Sequence, residues 1–169
     1  IQIADSATTE IKVGLGIGSI TLGKKVLATI ASSAATGEVS LSIAKADVST
    51  ITQSMTSQER DAIKSVVGDR PVFDFTITAS GKTVSSFGGG TVEVQVPYKP
   101  VANEDTNAII AYYIADNGEL VKVTNSYYDA ATGTLVFKVS HFSQYAVGYA
   151  PITFSDTSSS FAKSYITYL

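Results

Sequence analysis

Cysteine and tryptophan are both missing from the 169 residues, and the chain has one histidine, one methionine and four prolines. Without cysteine there is no disulfide, no thiolate nucleophile and no Cys-ligated metal, so stability must come from packing and hydrogen bonding. With His141 as the sole histidine, any Ser-His-Asp arrangement has only one place to form. Charge is thin as well, at 16% of residues, and 15 acidic against 12 basic side chains leave a net charge of -3. No basic stripe exists to neutralise phosphates, so nucleic acid is not an expected partner. No apolar run approaches the roughly 18 residues of a membrane-spanning helix. The opening Ile1-Gln2-Ile3 is neither a Met start nor a signal peptide, which is expected of a piece of a longer chain whose export signal lies elsewhere.

What is present is 44% hydrophobic residues, with Ser and Thr supplying much of the polar surface, a balance that suits strands and turns better than helix faces. From Glu10 to Ile20, Ile11, Val13, Leu15 and Ile17 alternate with Lys12 and glycines, the period of a half-buried strand. Lys24 to Ala31 fits a short helical turn, with Val26, Leu27 and Ile30 on one face. Glu38 to Ile43 alternates again as a second strand. Thr56-Ser57-Gln58-Glu59 has the form of a capping box, and Ile63, Val66 and Val67 follow on one face before Gly68. This predicts one short helix over Thr56 to Val67. Strands are then expected at Val72 to Thr78, Thr91 to Val96, Ile109 to Ile114, Leu120 to Val123, Thr134 to Val139 and Gln144 to Tyr149. Ser80-Gly81-Lys82, Asp116-Asn117-Gly118 and Thr132-Gly133 between them favour hairpins. The fold expected for residues 1 to 150 is a mainly β, antiparallel β-sandwich with one short helix. The expected core is Ile11, Val13, Val39, Leu41, Phe73, Phe75, Val94, Ile110, Val136, Phe142 and Ala146. After Pro151 the texture changes, and Phe161, Tyr165, Ile166 and Leu169 share a face, predicting a short C-terminal helix.

Phe154-Ser155-Asp156 followed by Phe161-Ala162-Lys163 and Ile166 resembles the opening of an S-layer homology repeat, with Phe161 where that family most often has Trp. On this division, residues 151 to 169 are the start of an incomplete repeat. Gly68-Asp69-Arg70-Pro71-Val72-Phe73-Asp74, Gly89-Gly90-Thr91-Val92-Glu93-Val94-Gln95-Val96-Pro97-Tyr98 and Val139 to Tyr149 are similar to the β-module that precedes such repeats in surface proteins of clostridia and related bacteria. The resemblance implies an extracellular place at the cell surface or wall of a Gram-positive type of bacterium and a structural or spacer role. It implies neighbouring modules of the same protein as partners, with wall polysaccharide reached through a complete repeat region. It implies no catalysis, cofactor or metal.

Chemistry could still reside in particular residues. His141-Phe142-Ser143 resembles the self-cleavage signature of GPCR-autoproteolysis-inducing and ZU5-type domains. In that chemistry the Ser143 hydroxyl, with His141 as base, would attack the Phe142 carbonyl, provided the backbone is strained. The ester would form as the Phe142–Ser143 peptide bond breaks and frees the Ser143 amine, and water would then hydrolyse the ester, so that the chain is cut between Phe142 and Ser143. The alternative is that His141 and Ser143 support a bend while Phe142 and Tyr145 anchor the core. An external hydrolase lacks its Gly-x-Ser-x-Gly elbow. Nine tyrosines, including Tyr112-Tyr113 and Tyr127-Tyr128, allow a carbohydrate-binding face if their rings line up in solvent, although alternation turns one of each pair inward. Asn103-Glu104-Asp105 and Asp116-Asn117-Gly118-Glu119 carry oxygen ligands without the spacing of an EF-hand, and read as turns. Gly88-Gly89-Gly90 lacks the Lys-Ser/Thr of a phosphate loop and reads as a bend. Lys12, Lys122 and Lys138 fall in expected strands while Asn103, Asn107, Asn117 and Asn125 fall in loops, which argues against a Lys-Asn isopeptide.

Overall fold

A computed structural model describes residues 9–151. The C-terminal motifs that resemble an S-layer homology repeat, and the helix expected with them, lie outside these residues, as does the Ile1-Gln2-Ile3 opening.

The described chain is mainly β, with two antiparallel sheets facing each other. In chain order the elements are β1 (Glu10–Gly14), β2 (Ser19–Gly23), α1 (Lys24–Ala34), β3 (Val39–Ala46), α2 (Val48–Ile51), α3 (Ser57–Val67), β4 (Val72–Ala79), β5 (Lys82–Thr83), β6 (Val92–Pro97), β7 (Ile109–Ile114), β8 (Leu120–Lys122), β9 (Ser126–Asp129), β10 (Thr134–Val139) and β11 (Gln144–Tyr149), with a single 3-10 turn at Thr106–Ala108 before β7. The first sheet runs β1-β2-β6-β10-β9. The second runs β3-β4-β11-β7-β8, with β5 paired to β4.

The stretch expected as one strand from Glu10 to Ile20 is a hairpin. Leu15 N–H donates to the Gly18 carbonyl at 2.8 Å, and Gly16 takes a positive φ of 75° that reverses the chain. Three further features depart from expectation: α1 continues three residues beyond Ala31 to Ala34, α2 adds an unexpected short helix so that the described chain has three helices and not one, and β9, with no alternating pattern of its own, pairs with β10.

The main core lies between the sheets. Ile20, Leu22, Phe73, Phe75, Ile77, Val92, Val94, Val96, Leu135, Phe137, Tyr145 and Val147 point inward, and α1 closes one end with Val26, Leu27, Ile30 and Ala34. Of the expected core residues, Phe73, Phe75 and Val94 are buried here, and Ile11, Val13, Val39, Leu41 and Phe142 are half-buried along its margins. Ile110 is one residue out of phase, because Ile109 and Ala111 are the inward members of β7; Val136 is buried as expected, but on the face of β10 opposite the inward Leu135 and Phe137. A second, smaller core covers the outer face of the second sheet. There Ile63 and Val67 of α3 meet Val72, Ile114 and Ala146, with Val48, Ile51, Met55 and Leu120 at its rim. The expected core residue Ala146 belongs to this layer.

The pairings define two poles. Glu10 lies beside Gly23, and Leu22 beside Val92 at the start of β6, so the chain enters β1 at that N-terminal pole. It leaves through Tyr149, which pairs with Ile109 at the opposite, C-terminal pole, near the end of β6. The eight residues of β4 span about 26 Å at roughly 3.3 Å per residue, which sets the distance between poles.

Candidate functional site

The densest polar arrangement among the described residues sits at the C-terminal pole, where the chain leaves the sandwich. Glu104, on the loop after β6, has a side chain only 4% exposed. Its Oε1 accepts from Arg70 Nε at 2.8 Å and from Arg70 Nη2, a two-pronged pair. Its Oε2 accepts from Tyr98 Oη at 2.7 Å and from the Val101 N–H at 2.9 Å. Arg70 Nη1 also donates to the Val67 carbonyl, tying in the last turn of α3. The Arg70 guanidinium carbon lies 5.4 Å from the centre of the Tyr149 ring, the last residue of β11, whose hydroxyl accepts from the Asp105 N–H at 3.3 Å. Tyr128 of β9 donates to the Tyr98 carbonyl at 3.2 Å, and the two rings meet edge to face.

The sequence places these groups locally. Pro71 opens β4 and holds Arg70 at the strand's mouth, while Asn103, at a positive φ of 68°, turns Glu104 back toward β6. The electrostatics follow from the contacts. Burial alone would raise the Glu104 carboxyl, but hydrogen bonds from Tyr98, Arg70 and the Val101 N–H, together with the Arg70 charge, outweigh it and hold it below its usual range. Burial, then the hydrogen bond to Glu104, pushes Tyr98 up to about 12. A cleft of about 670 Å³ beside the cluster is lined by Lys45, Asp69, Tyr98, Lys99 and Val101 among others. Both carboxylate oxygens are taken and Arg70 is occupied, so the cluster binds strands and loops together and has no free base or nucleophile.

The other candidates fall elsewhere. His141, Phe142 and Ser143 lie at the N-terminal pole, between β10 and β11. Phe142 packs edge to face on Phe87 at 5.0 Å and 5.8 Å from Phe75. The His141 ring stands edge-on to Tyr113 at 4.8 Å, its carbonyl accepts from Tyr145 Oη at 2.9 Å, and the Ser143 carbonyl accepts from the Phe75 N–H at 3.1 Å. Among the described residues no hydrogen bond joins the His141 ring to the Ser143 hydroxyl, and positive φ angles fall outside this tripeptide. The residues it brings together are therefore packing partners of Phe75, Phe87, Tyr113 and Tyr145.

Of the paired tyrosines, Tyr112 is buried, Tyr113 and Tyr128 pack against the main core, and Tyr127 alone stands 60% exposed. Asp105 accepts from the Asn107 N–H and Asn117 from the Glu119 N–H, the local bonds of turns, while Glu104 of the first segment is taken by Arg70 and Tyr98. The Gly88-Gly89-Gly90 bend lets the backbone at Gly90 pass within contact of Val26, where any side chain would collide at 2.7 Å. Lys12 donates to Gln95 and Lys138 faces Glu93, both on the outer surface, and the four asparagines named above are exposed in loops. None of the described helices is long and apolar enough to cross a membrane.

In the sequence Arg70, Tyr98, Glu104 and Tyr149 fall in separate segments with nothing that joins them. The only local signal was an Arg preceding a Pro at a strand start, with no hint of a partner 34 residues on. No family model, curated protein or solved structure matches the chain.

Proposed function

We propose that this chain is a non-catalytic spacer module of a bacterial cell-surface protein, standing beside a wall-anchoring S-layer homology region. The observation that carries the reading is that the chain enters and leaves the sandwich at opposite poles. A domain threaded in this way adds its own length between whatever precedes and follows it, whereas one with adjacent ends merely decorates a chain. The use of polar groups agrees with this: the carboxylate, guanidinium and phenols at the C-terminal pole join elements to one another. The resemblance of the segments around Gly68, Gly89 and Val139 to modules preceding S-layer homology repeats supplies the setting, outside the cell at the wall.

The test combines three measurements. Cysteine is absent, so thiols introduced as Thr9→Cys and Pro151→Cys accept spectroscopic labels uniquely. The spacer reading expects a single narrow distance between them, unchanged by added wall polysaccharide. It also expects one uncut mass after denaturation, and labelling of intact cells of the producing organism by an antibody against the chain. Fragments ending at Phe142, or tight binding of wall polysaccharide by residues 9–151, would overturn it.

A further inference from the structure

β11, the last strand among the described residues, is the element through which tension applied beyond Pro151 would enter the sandwich, and its two sides are unequally supported. Against β7 the pairing runs its full length, from Gln144 beside Ile114 to Tyr149 beside Ile109. Against β4 it stops at Ala146 beside Val72. The next position on the β4 side is Pro71, whose carbonyl accepts from the Val147 N–H at 3.0 Å but which has no N–H to return. The last residues of β11 are thus unpaired on that side, and it is here that Arg70 reaches over the Tyr149 ring and is clamped by Glu104.

We propose that the Arg70–Glu104–Tyr149 cluster, with Tyr98 behind it, is a mechanical lock on β11: it replaces the missing end of the β4 ladder and resists extraction of the strand when the chain is pulled along its long axis. The lock rests on the spacer reading for the direction of the load. Hydrogen bonds between strands run perpendicular to them, so tension along β11 loads its pairs with β7 and β4 together in shear. Slippage must then begin at the C-terminal end, and Glu104 holds that end to α3, β6 and β9 through Arg70, Tyr98 and Tyr128.

Single-molecule pulling through handles at residues 9 and 151 tests this. Glu104→Gln is expected to unfold about tenfold faster at constant load, the effect of losing charged hydrogen bonds from a buried group. Tyr149→Leu, which leaves the carboxylate pairs intact but removes the ring under Arg70, should shift the rate the same way and serves if the Gln variant does not fold. Thr56→Ala removes the cap at the start of α3, the end away from the Arg70 clamp, where no tension on β11 enters, and should leave the loaded rate within about twofold. With handles moved to residues 9 and 117, both at the N-terminal pole, the Glu104→Gln effect should vanish. Equal acceleration under both geometries, or none beyond that of Thr56→Ala, would overturn the lock. The labelled end-to-end distance decides separately whether the spacer reading survives.

Discussion

At the scale of single residues, Glu104 makes stability depend on acid. Its carboxyl lies below the ordinary value of 4.5 in the folded state. A depressed acid contributes stability that is full above the unfolded value and disappears as pH falls through the folded one. The urea midpoint should therefore drop between about pH 6 and about pH 3, and Glu104→Gln should flatten that slope. Some slope will remain, because hydrogen bonds from Ser49, Thr56 and Thr132 also hold Asp47, Glu59 and Asp129 low. On the alkaline side the sign reverses: burial raises Tyr98 from 10.0 to about 12, and raises Tyr145 as well. These phenols favour the folded state fully below pH 10.0, and the contribution fades as pH climbs toward the folded value. Titrated by absorbance, part of the tyrosine signal should appear late, together with unfolding. Gly148, like Gly90, has no room for a side chain, since a methyl there would strike the Tyr112 ring and approach Val66 to 3.4 Å. Gly148→Ala should destabilise by about 1–3 kcal/mol, the usual cost of overpacking, read as a lower urea midpoint with unchanged slope.

Among the elements, α3 is where local chemistry decides structure. The Thr56 N–H and hydroxyl both donate to Glu59 Oε2, at 2.7 and 2.8 Å, and the Glu59 N–H returns to Thr56 Oγ1 at 3.3 Å. Thr56→Ala should cost about 1 kcal/mol in urea unfolding. The box was legible because its partners are three residues apart. The bounds of β7, β10 and β11 were legible for a related reason: Asn117-Gly118, Gly133 and their neighbours mark the turns. Facing was harder to read. In β7, Ile109-Ile110-Ala111-Tyr112-Tyr113-Ile114 holds no polar residue, because one face meets the main core and the other lies toward α3. A strand covered on both faces loses its period, so the pattern does not show that Ile109 and Ala111, and not Ile110, face the main core. The β1–β2 hairpin was hidden by the reverse effect, since Leu15 and Ile17 continue the alternation straight through the turn. The cluster at the C-terminal pole was not legible at all. Arg70, Tyr98, Glu104 and Tyr149 belong to four separate segments, and only the packing of two sheets brings them together.

Across the whole molecule, the two cores are bound into one unit by the strands they share. Phe73, Ala111, Tyr145 and Val147 face the main core, while Val72, Ile114 and Ala146 on the same three strands face α3. The helical layer cannot leave without exposing the outer face of β4, β11 and β7, and those strands cannot part without opening the interior between the sheets. Urea transitions followed by far-UV circular dichroism and by the tyrosine near-UV signal should therefore coincide as one cooperative step. Ile63→Ala gives the sharper version. Ile63 is fully buried in the smaller core, and its truncation should cost about 2–5 kcal/mol. If the layers are coupled, both signals move together to a lower midpoint with the same slope. Were α3 an independent cap, the helical signal alone would melt early and the tyrosine transition would stay in place. A module that sets a distance between its neighbours needs the first behaviour, because a sandwich shedding its outer layer under load would have more than one length.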